Sequence, residues 1–181
     1  MELVTNNNWI FAPIKTDRMQ IELISKQYVK EIFTEKNNEE VNKYLANKSA
    51  ESIEALENRI NEIMRKNDNH EIIQLQSIDK LNKEFLWLCV IKNPNTLYPE
   101  IWLRFKKAAW WKWYGKELVI WLIDRIKKNL EYEYIVYETF ADNTWSVSII
   151  ESIWWVKYWT AEKVNYFWEK MNHVQYRLYK T

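Results

Sequence analysis

The chain has 181 residues, 26 Lys+Arg against 25 Asp+Glu and a formal net charge of +1, which suits one domain with a substantial core and disfavours a general polyanion binder, nucleic acid included. Its longest apolar run, FLWLCVI, is far below the roughly 20 residues of a bilayer span, so no membrane segment is expected. The start, MELVTNNNWIF, lacks a basic region followed by an apolar one, so no signal peptide is expected and the cytoplasm is the expected location. Cys89, the one cysteine, lies within that apolar run and reads as a buried structural thiol.

In chain order, IKTDRMQIELIS alternates Ile14, Met19, Ile21 and Leu23 with polar residues and predicts a first strand. KQYVKEIFTEKNNEEVNKYL carries Tyr28, Val29, Ile32 and Phe33 at helical spacing. SAESIEALENRINEIMRKN predicts a clearer helix, with Ile53, Leu56, Ile60, Ile63 and Met64 in one stripe, Ser49 or Ser52 as its cap and NDNH at its end. IIQLQSID and FLWLCVIKN predict two strands joined by the turn KLNKE, and EIWLRFK a fourth strand. The helix KELVIWLIDRIKKNL follows, with Leu118, Leu122 and Ile126 on one face and Lys127 and Lys128 in its last turn. YIVYETF is a fifth strand, ADNTWSVSIIESI a loop with a short helix, and VKYWTAEKVNYFWEKMNHVQYRLYK a terminal hairpin. No repeat, low-complexity tract or linker interrupts this single α/β pattern over 1–181.

Glycine and tryptophan are the anomaly. Average usage of about 7% would give roughly 13 glycines. The chain has one, Gly115, and 12 tryptophans. Turns with positive φ must then be made by other residues, and Trp is a poor choice for them.

The stretch AAWWKWYGKE, residues 108–117, joins the fourth strand to a helix. Strand, short loop and helix is how backbone N–H groups and a helix amino terminus are presented to a phosphate. With Trp111 and Trp113 read as glycine it becomes WGKGYGKE, which resembles the acetyl-CoA pyrophosphate loop of the GNAT superfamily of N-acetyltransferases. The similarity is to the ribosomal-protein N-terminal (RimJ/RimL-like) group. IKTDRMQIELIS resembles its opening strand through Thr16, Arg18 and Met19, with Glu22 where a second Arg is usual. IDKLNKEFLWLCVIKN resembles its central hairpin, and PEIWLRF its splayed fourth strand. DNTWSVSIIESIWWVKYW is similar to a further segment through Asn143, Ser146, Ile149, Ile150 and Glu151. Trp87, Trp102, Trp111, Trp113 and Trp154 stand where the family has glycine, whereas Trp110 is often a true Trp there. Trp145, Trp155, Trp159 and Trp168 are turn or loop positions that would accept glycine, and Trp9 and Trp121 are ambiguous. A gene that reads UGA as glycine, translated as tryptophan, would leave this pattern; a Trp-rich protein is the alternative.

The resemblance implies a mixed, mostly antiparallel sheet flanked by helices in one domain, and acetyl transfer from acetyl-CoA to a primary amine without a metal. It places acetyl-CoA on Leu103, Phe105, Trp110, Trp111, Lys112, Trp113, Tyr114, Gly115, Lys116, Asn143 and Ser146. Asn143 would hold the pantetheine arm and Ser146 lie near the thioester, although both also suit a helix cap. Glu100 is either a strand-end charge or a base acting through water, with Glu138 a weaker rival. The tyrosine acid of many relatives has no counterpart, since Ile150 stands in that segment. His70 and His173 sit in polar, turn-like contexts without metal-ligand spacing and receive no role. A peptide α-amine with pKa of about 8 is roughly a tenth neutral at pH 7, lysine far less, so an α-amine or low-pKa small-molecule amine is the expected acceptor. The chain is expected to act as a monomer or homodimer. If every tryptophan is genuine, WWKWYGK could instead stack on single-stranded nucleic acid or a sugar, making the chain a non-catalytic binding module.

Overall fold

The computed structural model describes residues 14–44, 50–110 and 112–180. The first predicted strand is two. Thr16 N–H donates to the Met19 carbonyl at 2.9 Å, turning β1 (Ile14–Lys15) back on β2 (Met19–Leu23). The helical stretch after it divides into α1 (Val29–Lys36) and a single turn, α2 (Glu39–Asn42). It breaks where Asn38 turns its side chain onto the Glu40 N–H, a local bond that competes with the helix. Ser52 caps α3 (Ile53–Asp68), its Oγ accepting from Ala55 N–H at 3.0 Å; Ser49, the other candidate cap, lies outside the described residues.

β3 (Ile72–Asp79), β4 (Phe85–Lys92) and β5 (Glu100–Phe105) follow, then α4 (Tyr114–Asn129), β6 (Tyr134–Phe140), α5 (Thr144–Glu151), β7 (Val156–Val164) and β8 (Lys170–Tyr179). These strands form one sheet in the order β1-β2-β3-β4-β5-β6-β8-β7, antiparallel throughout except where β5 meets β6.

Helices cover both faces. On one, Leu118, Leu122 and Ile126 of α4 and Ile149 and Ile150 of α5 pack with Trp87, Cys89, Ile91, Ile101 and Phe105. On the other, Ile32 of α1 and Leu56 and Ile60 of α3 pack on Phe85 and Leu88. Burial drives the Cys89 thiol strongly upward in pKa, so it stays a protonated core group. Among the described residues no helix is long and apolar enough to cross a membrane.

The tryptophans fall into distinct environments. Trp113, Trp154 and Trp168 have φ of 63°, 64° and 65°, and are 74%, 91% and 75% exposed. Left-handed backbone favours glycine because a Cβ crowds the carbonyl there. His70, Lys83 and Asn93 occupy the same region. Trp87 is different: it is buried and stacked on Phe105 at 4.7 Å between ring centres. The indole N–H groups of Trp87 and Trp155 are buried without a hydrogen-bond partner. Trp145 lies in α5 and Trp159 in β7, so regular backbone replaces the loops expected at both. Trp111 and Trp9 lie outside the described residues.

Trp154→Gly and Trp168→Gly should each stabilise the fold by about 1 kcal/mol by relieving left-handed strain. Trp87→Gly should cost about 3 to 5 kcal/mol by emptying the core. Urea midpoints at constant m value check both directions.

Candidate active site

Among the described residues β5 and β6 are the one parallel pair, and they part almost at once. Their register holds only at Glu100 with Val136 and Ile101 with Tyr137, while the strands run on to Phe105 and Phe140. Lys106 N–H is bonded to the Leu86 carbonyl, and Val136 N–H to the Pro99 carbonyl. By the alternation of a strand, the backbone groups of Leu103 and Phe105 therefore point away from β4 into the gap. Sequence reasoning named both residues, and both line the cleft that opens there.

On the α4–α5 side the cleft receives Asn143 and Ser146. Asn143 caps α5, its Oδ1 accepting from Ser146 N–H at 3.2 Å. Ser146 is buried, and its Oγ lies 2.7 Å from the Tyr137 hydroxyl. Burial raises the Tyr137 pKa to about 12, so the phenol stays protonated at neutral pH and can donate to Ser146. Donation in that direction leaves the serine O–H free for a third group. Sequence reasoning found no tyrosine for this place because Tyr137 reaches it from the strand, not from the helix that was searched.

On the opposite side lie Glu138 and His173. Their strands pair in antiparallel register, Glu138 with Gln175 and Phe140 with His173. Burial raises the Glu138 carboxyl, but the Gln175 amide at 2.8 Å and the Lys163 ammonium at 3.1 Å outweigh it and hold it below its usual range. His173 is buried against the Phe140 ring, with Nδ1 3.8 Å from Glu138. Burial first, then the Lys163 charge, lowers the imidazole pKa, with Glu138 opposing, so His173 is neutral at pH 7. The turn context read for His173 is corrected: it sits inside β8, hydrogen-bonded on both sides.

Glu100 does not join this group. It stands at the still-paired base of the strands, outside the cleft lining, and its carboxylate accepts from the Trp102 indole. The paired backbone that opens the cleft begins at Glu100, which leaves its side chain behind the opening.

The segment before α4 is fixed by Arg18. Its Nε and Nη2 each reach Glu117 at 2.7 Å, its Nη1 donates to the Lys112 carbonyl at 2.7 Å, and its guanidinium lies 4.4 Å from the Tyr114 ring centre. The Tyr114 hydroxyl donates to Asp79 at 2.6 Å. Tyr114 is therefore a buried brace rather than a free loop side chain. The bare Cα of Gly115 faces α5: a Cβ there would lie 2.5 Å from Ile149 and 2.8 Å from Trp145, so close helix packing demands this glycine. Lys112 is exposed and Lys116 half-buried in the first turn, where α4 presents unpaired N–H groups. Trp111, also assigned here from sequence, lies outside the described residues.

Tryptophan fills much of the cleft. Trp145 meets Phe105 edge-on at 4.5 Å and stacks with Trp110 at 6.2 Å, while the Trp110 indole donates to the Phe105 carbonyl. The free volume is about 60 Å³, against about 300 to 1,000 Å³ for small-molecule pockets. The helix end could receive phosphates; the arm of a coenzyme would have to displace these indoles to enter. Among the described residues no group of three or more His, Cys, Asp or Glu could hold a metal ion.

No family model matches the chain, and no curated protein matches it in sequence. Solved structures do match in fold. One is the ribosomal-protein-S5-alanine acetyltransferase of Vibrio fischeri, 15% identical over 92% of this chain and 96% of that one, with a TM-score of 0.79. Another is RimL, a ribosomal-protein α-N-acetyltransferase in complex with coenzyme A, 8% identical over 91% and 95%, with a TM-score of 0.78. A third is the spermidine N-acetyltransferase of Vibrio cholerae with CoA and spermine, 14% identical over 91% and 96%, again at 0.78. The sheet with one parting parallel pair, covered by helices on both faces, is thus the fold of the GNAT acetyltransferases.

Proposed function

We propose that this chain is a cytoplasmic N-acetyltransferase of one domain, which moves an acetyl group from acetyl-CoA directly to a protein N-terminal α-amine or a small-molecule amine. The observation that carries the proposal is the parting of β5 from β6, with a Tyr137–Ser146 hydroxyl pair on one side and a Glu138–His173 pair on the other. Coenzyme phosphates suit the amino terminus of α4, where the N–H groups of Tyr114, Gly115 and Lys116 and the ammonium groups of Lys112 and Lys116 supply positive potential. Asn143 would hold the pantetheine arm, and Leu103 N–H would donate to the thioester oxygen as it gains charge.

From the other face, His173, whose Nδ1 lies 3.8 Å from Glu138 without a hydrogen bond, would offer Nε2 to the amine's proton. Nitrogen then bonds to the carbonyl carbon, the C–S bond breaks, and the sulfur leaves carrying the electron pair. Ser146 O–H, backed by Tyr137, donates to that sulfur. Glu138, held below its usual range by Gln175 and Lys163, is too weak a base for this step and would act on the imidazole only through its charge.

We also infer that glycine is the natural residue at Trp113, Trp154 and Trp168, and by resemblance at Trp87, Trp102 and Trp111, the gene using UGA for glycine. Three tryptophans in left-handed backbone support this. TGA codons at these positions with TGG at Trp110 are the expected result; TGG throughout overturns it and favours the non-catalytic binding module.

His173→Ala should lower kcat about 100-fold with little change in the KM for acetyl-CoA. In the unmodified chain the rate should fall as pH drops through the His173 pKa, below its ordinary 6.5, because the imidazolium cannot accept a proton. That acid limb should vanish in the variant, and a pH profile of kcat/KM checks it. Trp145→Gly should tighten acetyl-CoA binding about tenfold, since no indole need then be displaced. Titration calorimetry reads the change.

A further inference from the structure

Behind the cleft, between α1, α3 and the sheet, lies a larger cavity of about 410 Å³. Trp102, Leu103 and Arg104 of the parting strand line both spaces, so the cavity adjoins the cleft on its Glu138–His173 side. Its floor is aliphatic, with Ile32, Leu56, Ile60 and Leu88. Among the described residues, every charged side chain lining it is a cation: Lys36, Arg59, Lys92 and Arg104.

Among the described residues no carboxylate lines the cavity itself. Glu100 accepts from Trp102 and does not line the cavity. Glu35 lines a separate small space beside Arg104, where its charge acts on the guanidinium and its Oε2 is buried without a hydrogen-bond partner. Arg104 is held by the Asn42 carbonyl oxygen Oδ1 at 2.8 Å and the Glu35 backbone carbonyl at 3.2 Å, both neutral acceptors, and its Nε is buried without a partner. Lys92 lies 3.7 Å over the Trp102 ring. An aliphatic floor beneath four cations is a poor host for a polyamine and a good one for an apolar, anionic chain.

We infer that the acceptor is a peptide amino terminus whose first residues carry an aliphatic and an acidic side chain, the aliphatic group on the cavity floor and the carboxylate among Arg59, Lys92 and Arg104. This rests on the acetyl-transfer proposal for where the amine enters. It separates this chain from the spermidine enzyme that shares its fold. A second consequence follows for Lys36, whose pKa is lowered to about 8, by burial first and then by Arg104 and Arg59. A bound carboxylate offsets the repulsion from the two arginines, so binding near pH 8 takes up a proton.

The test is titration calorimetry of the full chain with the tripeptide amides Ala-Leu-Asp, Ala-Leu-Asn and Ala-Leu-Lys and with spermidine. The aspartate peptide should bind about tenfold more tightly than the asparagine peptide, with the lysine peptide and spermidine weakest. Proton uptake, read from two buffers of different ionisation heat, should accompany the first alone. In Arg59→Glu, a change at an exposed helix position, the preference for the aspartate over the lysine peptide should shrink or reverse. Equal binding of aspartate and asparagine peptides, tighter spermidine binding, or no peptide binding overturns the inference. Mass-spectrometric assay of the same mixtures with acetyl-CoA separates the two proposals. Ordered binding without any acetylated product would defeat acetyl transfer and leave the acidic-peptide site standing. Product formed equally from all three peptides would do the reverse.

Discussion

Two residue pairs of parallel backbone, Glu100 with Val136 and Ile101 with Tyr137, hold the two halves of this sheet together. Everything chemical depends on their number. A longer ladder would close the gap, and the backbone groups of Leu103 and Phe105 would be spent on β6. A shorter one would leave β6, β8 and β7 attached only through the helices. Since α4 and α5 lie on one face and α1 and α3 on the other, the opening between the strands is also a passage between two environments. Two reactants can therefore approach one point from opposite sides without competing for space.

The electrostatics divide along the same plane. On the α5 side the titratable group at the cleft is a phenol raised by burial, and its neighbour is a neutral hydroxyl. On the other side a carboxylate and a neutral imidazole sit under a lysine. Groups that hold protons thus face groups that can accept them, across a space only a few atoms wide. Arg18 contributes from a distance: by joining Glu117, the Lys112 carbonyl and the Tyr114 ring, it fixes the start of α4 relative to the first hairpin.

Much of the architecture was legible because its signals are local. Short apolar segments bounded by polar turns gave β3, β4, β5 and β6, and the apolar stripes gave α3 and α4. The Thr16 turn lies where the five-residue spacing from Ile14 to Met19 breaks the two-residue period that Met19, Ile21 and Leu23 keep, a break that reading one strand through 14–23 passed over. Leu103, Phe105, Asn143 and Ser146 line the cleft, at the strand and helix start to which resemblance assigned them. His173 was missed because its sequence neighbours are polar; what buries it is β6 and the Phe140 ring, brought by the fold from the other side of α5. The Tyr137–Ser146 bond spans nine residues, and only the tight turn from β6 into α5 makes it short. Glu100 begins the strand as expected but stands in the paired register, outside the cleft lining.

With tryptophan at these positions, the split among them makes the chain as written its own optical probe. Trp113, Trp154 and Trp168 are bathed in solvent, whereas Trp87 and Trp155 are enclosed with their N–H groups facing no acceptor. Water relaxes around an excited exposed indole and shifts its emission to the red, and a small solute such as iodide reaches it and quenches it. The enclosed indoles emit to the blue and are shielded. One emission spectrum therefore superposes a report from the turns on a report from the core, and collisional quenching separates the two without any label.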